Sequence, residues 1–172
     1  MSAERRLYRD QLTHERLLEV LHYDPDTGVF TWKVAVGSKI KAGKTAGSLT
    51  SNGYICIGID CTHYQVHRLA WFYVKQAWPN NQIDHINGVR GDNRLVNLRD
   101  VNNSENAQNT RNPRSSNNSG FLGVNIFKRD KTFQAQITVN GKKKHLGYFT
   151  TATVAHEAYL TAKRELHPFC TI

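Results

Sequence analysis

Ile83-Asp84-His85-Ile86-Asn87-Gly88, then Asp92-Asn93-Arg94-Leu95-Val96-Asn97-Leu98-Arg99, then Ser104-Glu105-Asn106: these three runs decide how the middle of this chain folds. The first is a short apolar-polar strand that enters an Asn-Gly turn. A polar loop follows, and Leu95 and Leu98 anchor the returning chain in the core. Asn102 or Asn103 predicts a helix cap with Glu105 in the first turn, and the helix must end before Pro113. The order strand, loop, strand, helix leaves Asp84 and Asn106 able to share one hard divalent ion, for which oxygen ligands suit magnesium or manganese. His85 supplies an imidazole that titrates near neutrality, the group suited to deprotonating water. Neighbours on a strand point to opposite faces, so Asp84 and His85 can serve one centre only where the strand bends or ends. The Asn87-Gly88 turn predicts that it ends.

The composition around this stretch favours a polyanionic partner. The 172 residues carry a formal charge of +9, and each phosphate neutralised on a nucleic acid releases counterions and adds affinity. The charge is uneven: residues 119–172 hold eight Lys and Arg against three acids, whereas residues 81–118 hold five Arg against four acids. A basic end beside a balanced segment fits a binding module next to a site that needs carboxylates. Cys56, Cys61 and Cys170 form no C-x-x-C pair, so neither a zinc knuckle nor a disulfide framework is expected. No apolar run approaches membrane-spanning length. The first thirty residues lack a signal-peptide pattern, and the expected location is the cytoplasm, that of the host cell if the protein is phage-encoded.

Upstream, Leu12-Thr13 starts a helix with Thr13 as cap and Leu12 and Leu17 as staple, running to about His22. Asp24-Pro25-Asp26-Thr27-Gly28 is a turn before a strand at Val29–Trp32, and residues 37–51 read as a loop. A hairpin over residues 54–66, turning at Asp60-Cys61-Thr62, leads into a helix over residues 67–77 that Pro79 stops. Downstream of a polar linker, Val124 and Ile126 mark the inward face of one strand. Alternating Phe133, Ala135, Ile137 and Val139 mark a second. Asn140-Gly141 turns into a third, over residues 142–149. A helix capped at Thr150 or Thr151 then carries Val154, Ala158, Tyr159, Ala162 and Leu166. By alternation the outer sheet face presents Asn125, Phe127, Gln134, Gln136, Lys143 and His145.

Val66-His67-Arg68-Leu69-Ala70-Trp71, with the three runs quoted first, resembles the HNH homing endonucleases of phages, members of the ββα-metal superfamily. Asp-His, Asn twelve residues after the His and Asn nine residues further on match that family's spacing. The resemblance implies metal ligands at Asp84 and Asn106, a general base at His85, and at Asn97 a residue that fixes the loop and the imidazole. An Asn in place of the third His argues against tightly held zinc. Residues 119–168 are similar to the DNA-binding domain of the plant Apetala and ethylene-response-factor family, in which the outer sheet face enters the major groove. Gly123-Val124, Phe133-Gln134-Ala135-Gln136-Ile137 and Leu146-Gly147-Tyr148-Phe149 carry that similarity.

The expected architecture is α+β: an N-terminal helix and hairpin with a ββα-metal nuclease core, then a small three-stranded antiparallel sheet packed on one helix. The expected segments are a lead segment over 1–52, the nuclease core over 53–111, a linker over 112–119 and the DNA-binding domain over 120–172. Arg68, Arg94 and Arg99 are candidate phosphate contacts, and His67 either supports the site by contacting a phosphate or the catalytic loop, or is a buried histidine bonded to backbone. The expected activity is metal-dependent hydrolysis of double-stranded DNA, homing-like, by a monomer or a DNA-induced dimer. The rival is a DNA-binding regulator with an inactive nuclease fold.

Overall fold

In the computed structural model, which describes residues 12–127 and 129–172, strands and helices mix and every sheet is small and antiparallel, an α+β fold. Eleven residues of the 1–52 lead segment, and Lys128 of the basic C-terminal stretch, lie outside the described residues. The chain divides into two compact units, Met1–Val101 and Asn102–Ile172.

In the first unit, α1 (His14–Val20) begins where Thr13 Oγ1 accepts the Arg16 N–H at 3.1 Å. Leu12 and Leu17 are both buried, as staple positions should be. The helix stops sooner than expected. Leu21 and His22 belong instead to β1 (Leu21–Asp24), which pairs with β2 (Val29–Trp32). Tertiary packing overrides helical periodicity here: Leu21 and Tyr23 alternate inward, and Tyr23 meets Phe30 at 4.6 Å between ring centroids. Asp24 closes the turn, accepting the Asp26 N–H at 3.0 Å and the Thr27 hydroxyl at 2.8 Å.

Within the expected 37–51 loop, β3 (Ser48–Leu49) pairs with the edge of β4 (Ile55–Ile59). Two residues of low strand propensity leave no pattern to read. β4 pairs with β5 (Thr62–Gln65) through a two-residue turn, Asp60 and Cys61 at φ +47° and +62°. Thr62, expected in the turn, is therefore in the strand, because such turns need left-handed backbone at both central residues only. α2 (Val66–Lys75) follows at once and ends at left-handed Gln76, before Pro79. It buries His67, Leu69, Ala70 and Phe72 in a core shared with Leu17, Tyr23, Phe30, Trp32 and Ile57. β6 (Gln82–His85) and β7 (Leu98–Val101) pair in register Asp84 to Arg99 and His85 to Leu98, with a 3-10 turn (Leu95–Asn97) feeding β7.

The second unit opens with α3 (Asn103–Gln108). Asn102 is its cap, in a reciprocal box: its side chain accepts the Glu105 N–H at 3.0 Å, and Glu105 accepts the Asn102 N–H at 2.8 Å. The end of α3 is tied to the C-terminal residues, with Thr171 donating to Asn109 Oδ1 at 2.7 Å and the Lys163 ammonium donating to the Thr110 carbonyl. These bonds explain why packing divides the chain ahead of the 112–119 segment.

The sheet has the order β10 (Lys142–Phe149), β9 (Thr132–Val139), β8 (Val124–Phe127), and α4 (Ala152–Leu166) covers it. Val124, Ala135 and Ile137 are buried against Ala155, Tyr159 and Ala162. Ile126, expected inward, is 42% exposed at the far end of an edge strand. Val154 is likewise exposed, and Ala155 takes its place on the packed face of α4.

Candidate active site

β6 ends at His85, and the chain turns immediately, Gly88 donating to the His85 carbonyl at 2.8 Å. The strand thus ends where two adjacent side chains could serve one centre. Asp84 faces its cross-strand neighbour: Arg99 Nε and Nη2 both donate to Asp84 Oδ2, at 2.9 and 2.7 Å. Both side chains are largely withdrawn from solvent. Arg99, expected to bind phosphate, is placed on the expected metal ligand.

His85 faces inward. Its ring meets His67 at 5.1 Å and Tyr54 at 6.1 Å. Burial pushes the imidazole below its ordinary value, against the opposing pull of Asn93, Asp84 and Asp92. His85 is therefore neutral at pH 7, the form a base must have. Its Nε2 lies 3.2 Å from Asn93 Oδ1. Asn93 is itself buried, with Nδ2 donating to the Gly91 carbonyl at 3.1 Å and its own carbonyl accepting the Tyr23 hydroxyl at 2.7 Å. Gly28, at φ +74°, permits this approach of the β1–β2 turn: a Cβ there would lie 2.5 Å from Arg94 N.

Asn97 closes the loop between the strands. Its Oδ1 accepts the Asn87 N–H at 2.9 Å and its Nδ2 donates to the Asp92 carbonyl at 2.8 Å. Asn87 adds a third tie, Nδ2 to Asp92 Oδ2 at 2.7 Å. Arg94 grips the same carboxylate through two nitrogens, and its guanidinium holds Asp92 down to about 2. Arg68 donates to the Asn81 carbonyl.

His67 is buried beneath Tyr54 and His85, its Nδ1 without a hydrogen-bond partner, and burial drives it down to about 3. Of its two expected roles, the structure gives it contact with His85 and no backbone bond at Nδ1. Asn106 lies on α3, its N–H bonded to the Asn102 carbonyl. In the first unit Asp84 adjoins the imidazole in sequence and supplies a hard oxygen donor that suits magnesium or manganese. Among the described residues, no three His, Cys, Asp or Glu side chains gather as a zinc set would.

The outer sheet face of the second unit carries Asn125, Phe127, Gln134, Gln136, Lys143 and His145 as alternation predicts. It also carries Tyr148, which strict alternation turns inward. A bulge between His145 and Gly147, the glycine at φ +140°, restores Tyr148 to the outer face. There it lies 4.7 Å from His145 and 5.4 Å from Phe127. A glycine inside a strand pattern was the available signal. Asn93 left a fainter one, an Asn inside an ordinary-looking Asp-Asn-Arg turn.

Residues 64–108 match the family described as HNH endonuclease, covering α2, β6, β7 and α3. This stretch of the chain is therefore similar to an HNH endonuclease domain. No curated protein and no solved structure matches the chain. No helix among the described residues is long and apolar enough to cross a membrane.

Proposed function

We propose that this chain is a metal-dependent DNA endonuclease that hydrolyses phosphodiester bonds, homing-like and phage-encoded, acting in the host cytoplasm. The observation that carries the proposal is His85, buried at the last position of β6 next to Asp84, where burial pushes its imidazole toward the neutral form. His85 accepts a proton from water, the water oxygen forms a bond to phosphorus, and the bond from phosphorus to the leaving sugar oxygen breaks. Asp84 is the proposed metal ligand in the first unit. Asn106 keeps its role as second ligand from motif spacing alone. When bound, magnesium or manganese would neutralise charge developing on the phosphate and the leaving oxygen. Asn97 reacts with nothing. It holds the loop that follows the base.

The second unit is the proposed groove-binding module, resembling the Apetala type, with the sheet face from Asn125 to His145 against double-stranded DNA and Lys143 on phosphate. Arg68, Arg94 and Arg99 remain proposed backbone contacts, the last two through charge shared with Asp92 and Asp84. One centre per chain nicks, and a double-strand break needs a DNA-induced dimer or two binding events.

Incubation with supercoiled plasmid and either Mg²⁺ or Mn²⁺ tests this: cleavage that EDTA stops and His85→Ala abolishes is expected. A plasmid left intact across metals and pH, with DNA binding retained, would establish the regulator instead.

A further inference from the structure

We infer that Asn93 is a positioning residue that fixes His85 in the tautomer carrying its hydrogen on Nε2, which makes Nδ1 the basic nitrogen. The inference deepens the nuclease reading above and rests on it only for its kinetic arm.

The Asn93 amide is oriented from both ends. Its Nδ2 donates to the Gly91 carbonyl, so the nitrogen is committed there and the oxygen must face His85. An amide oxygen only accepts, so the imidazole nitrogen 3.2 Å away must donate. In a neutral imidazole one nitrogen donates and the other carries the lone pair. The proton on Nε2 therefore places the lone pair on Nδ1. The backbone of Asn93 is held as firmly as its side chain: the Tyr23 hydroxyl donates to its carbonyl, and the Gly28 turn packs directly against the peptide that follows. Asn93 is 1% exposed and His85 4% exposed, so water competes poorly for either end of the bond. A surface Asn-His pair would let the ring flip and the tautomer average. This pair does not. A polar residue buried to this degree in a loop, with its acceptor on the proposed base, has work that a turn residue lacks.

The tautomer can be read without any catalysis. Full-length protein with ¹⁵N-labelled histidine, at pH 7, should show His85 with Nε2 protonated in long-range ¹H–¹⁵N correlation spectra. Asn93→Ala should turn that signature into a mixture of tautomers. Asn93→Asp, which keeps an acceptor oxygen, should preserve it. With plasmid and Mg²⁺, Asn93→Ala should lower kcat by at least about 10-fold, as loss of an aligned base does. KM for DNA should stay within about twofold, because the residue touches no substrate. Asn93→Asp should recover part of the loss. Tryptophan fluorescence establishes that each variant is folded, and should Asn93→Ala fail that check, the wild-type and Asn93→Asp spectra decide. A wild-type His85 protonated on Nδ1 overturns the inference, as does an unchanged tautomer and kcat in a folded Asn93→Ala. If the wild-type protein cuts no DNA, the nuclease reading falls, and the tautomer spectra still decide the role of Asn93.

Discussion

Acid should destabilise the first unit through His67 before most carboxylates titrate. This histidine sits at about 3 in the folded protein against an ordinary 6.5, with burial the largest cause and the neighbouring His85 and Arg68 adding to it. The unfolded chain takes up a proton as pH drops through 6.5, and the folded one refuses it until about 3. Its contribution to stability is therefore intact above pH 6.5 and lost progressively as pH falls toward 3. Inside that window each pH unit removes about 1.4 kcal/mol, so the fall from pH 7 to pH 4.5 removes about 2.7 kcal/mol. The side chain is 5% exposed, so solvent screening takes little from this figure. Trp32, Trp71 and Trp78, all the tryptophans of the chain, lie in the first unit, and their fluorescence reports its unfolding alone. Urea titrations at both pH values on the wild type and on His67→Gln give the comparison. The wild type should lose about 2–3 kcal/mol more than the variant on acidification. His85 is common to both proteins and largely cancels. Equal losses would refute a buried, neutral His67.

Three further outcomes follow from the geometry. Gly28→Ala should lower the stability of the first unit by more than about 1 kcal/mol, since it combines left-handed backbone with a backbone clash at Arg94; urea unfolding by fluorescence measures it. Asn97→Ala should cost about 1–3 kcal/mol by orphaning the Asn87 N–H and the Asp92 carbonyl, and should slow plasmid cleavage. A variant as stable and as active as the wild type would remove Asn97 from the site. Lys143→Ala should weaken DNA binding on all sequences alike and reduce the salt slope of affinity by about 1, whereas Tyr148→Ala should leave that slope unchanged; fluorescence anisotropy over a salt series separates the two.

The sequence carried the elements whose signals are local. Thr13, Thr151, the Asn102–Glu105 box and the Asn140-Gly141 turn each act within a few residues, and each is where the pattern put it. What it did not carry depends on partners far along the chain. β1 exists because Tyr23 packs on Phe30 and Leu21 pairs with Trp32, which no periodicity around His22 announces. Tyr148 changes face because of one bulge. In the site, residue types and spacing singled out Asp84, His85 and Asn97, but a pattern of letters cannot say which amide reaches the imidazole. Asn97 was expected to fix both the loop and the ring. In the structure it ties Asn87 to Asp92, and the amide on the His85 ring is that of Asn93.

The charges of the loop bear on how DNA would be held. Arg94 is paired with Asp92 and Arg99 with Asp84, each through two nitrogens, so these two arginines bring little net field of their own, whereas Arg90, whose charge acts on His85, donates to the Asn52 carbonyl at 2.7 Å and lies 5.0 Å over the Tyr54 ring. His85 and His67 are pushed toward the neutral form and add none at pH 7. A neutral imidazole is a ready base, but it does nothing to attract a phosphate. On the proposed reading, long-range attraction therefore comes from Arg90, from a bound divalent ion and from the basic second unit, with Arg68, Arg94 and Arg99 adding contacts at short range. Chemistry and affinity then separate cleanly in experiment. Raising salt should weaken binding steeply through residues such as Lys143, while kcat at saturating DNA, governed by a buried imidazole, should change little. A kcat that falls in parallel with affinity would place exposed, salt-screened charge at the reacting phosphate, and would move Arg94 or Arg99 off its carboxylate and into the chemistry.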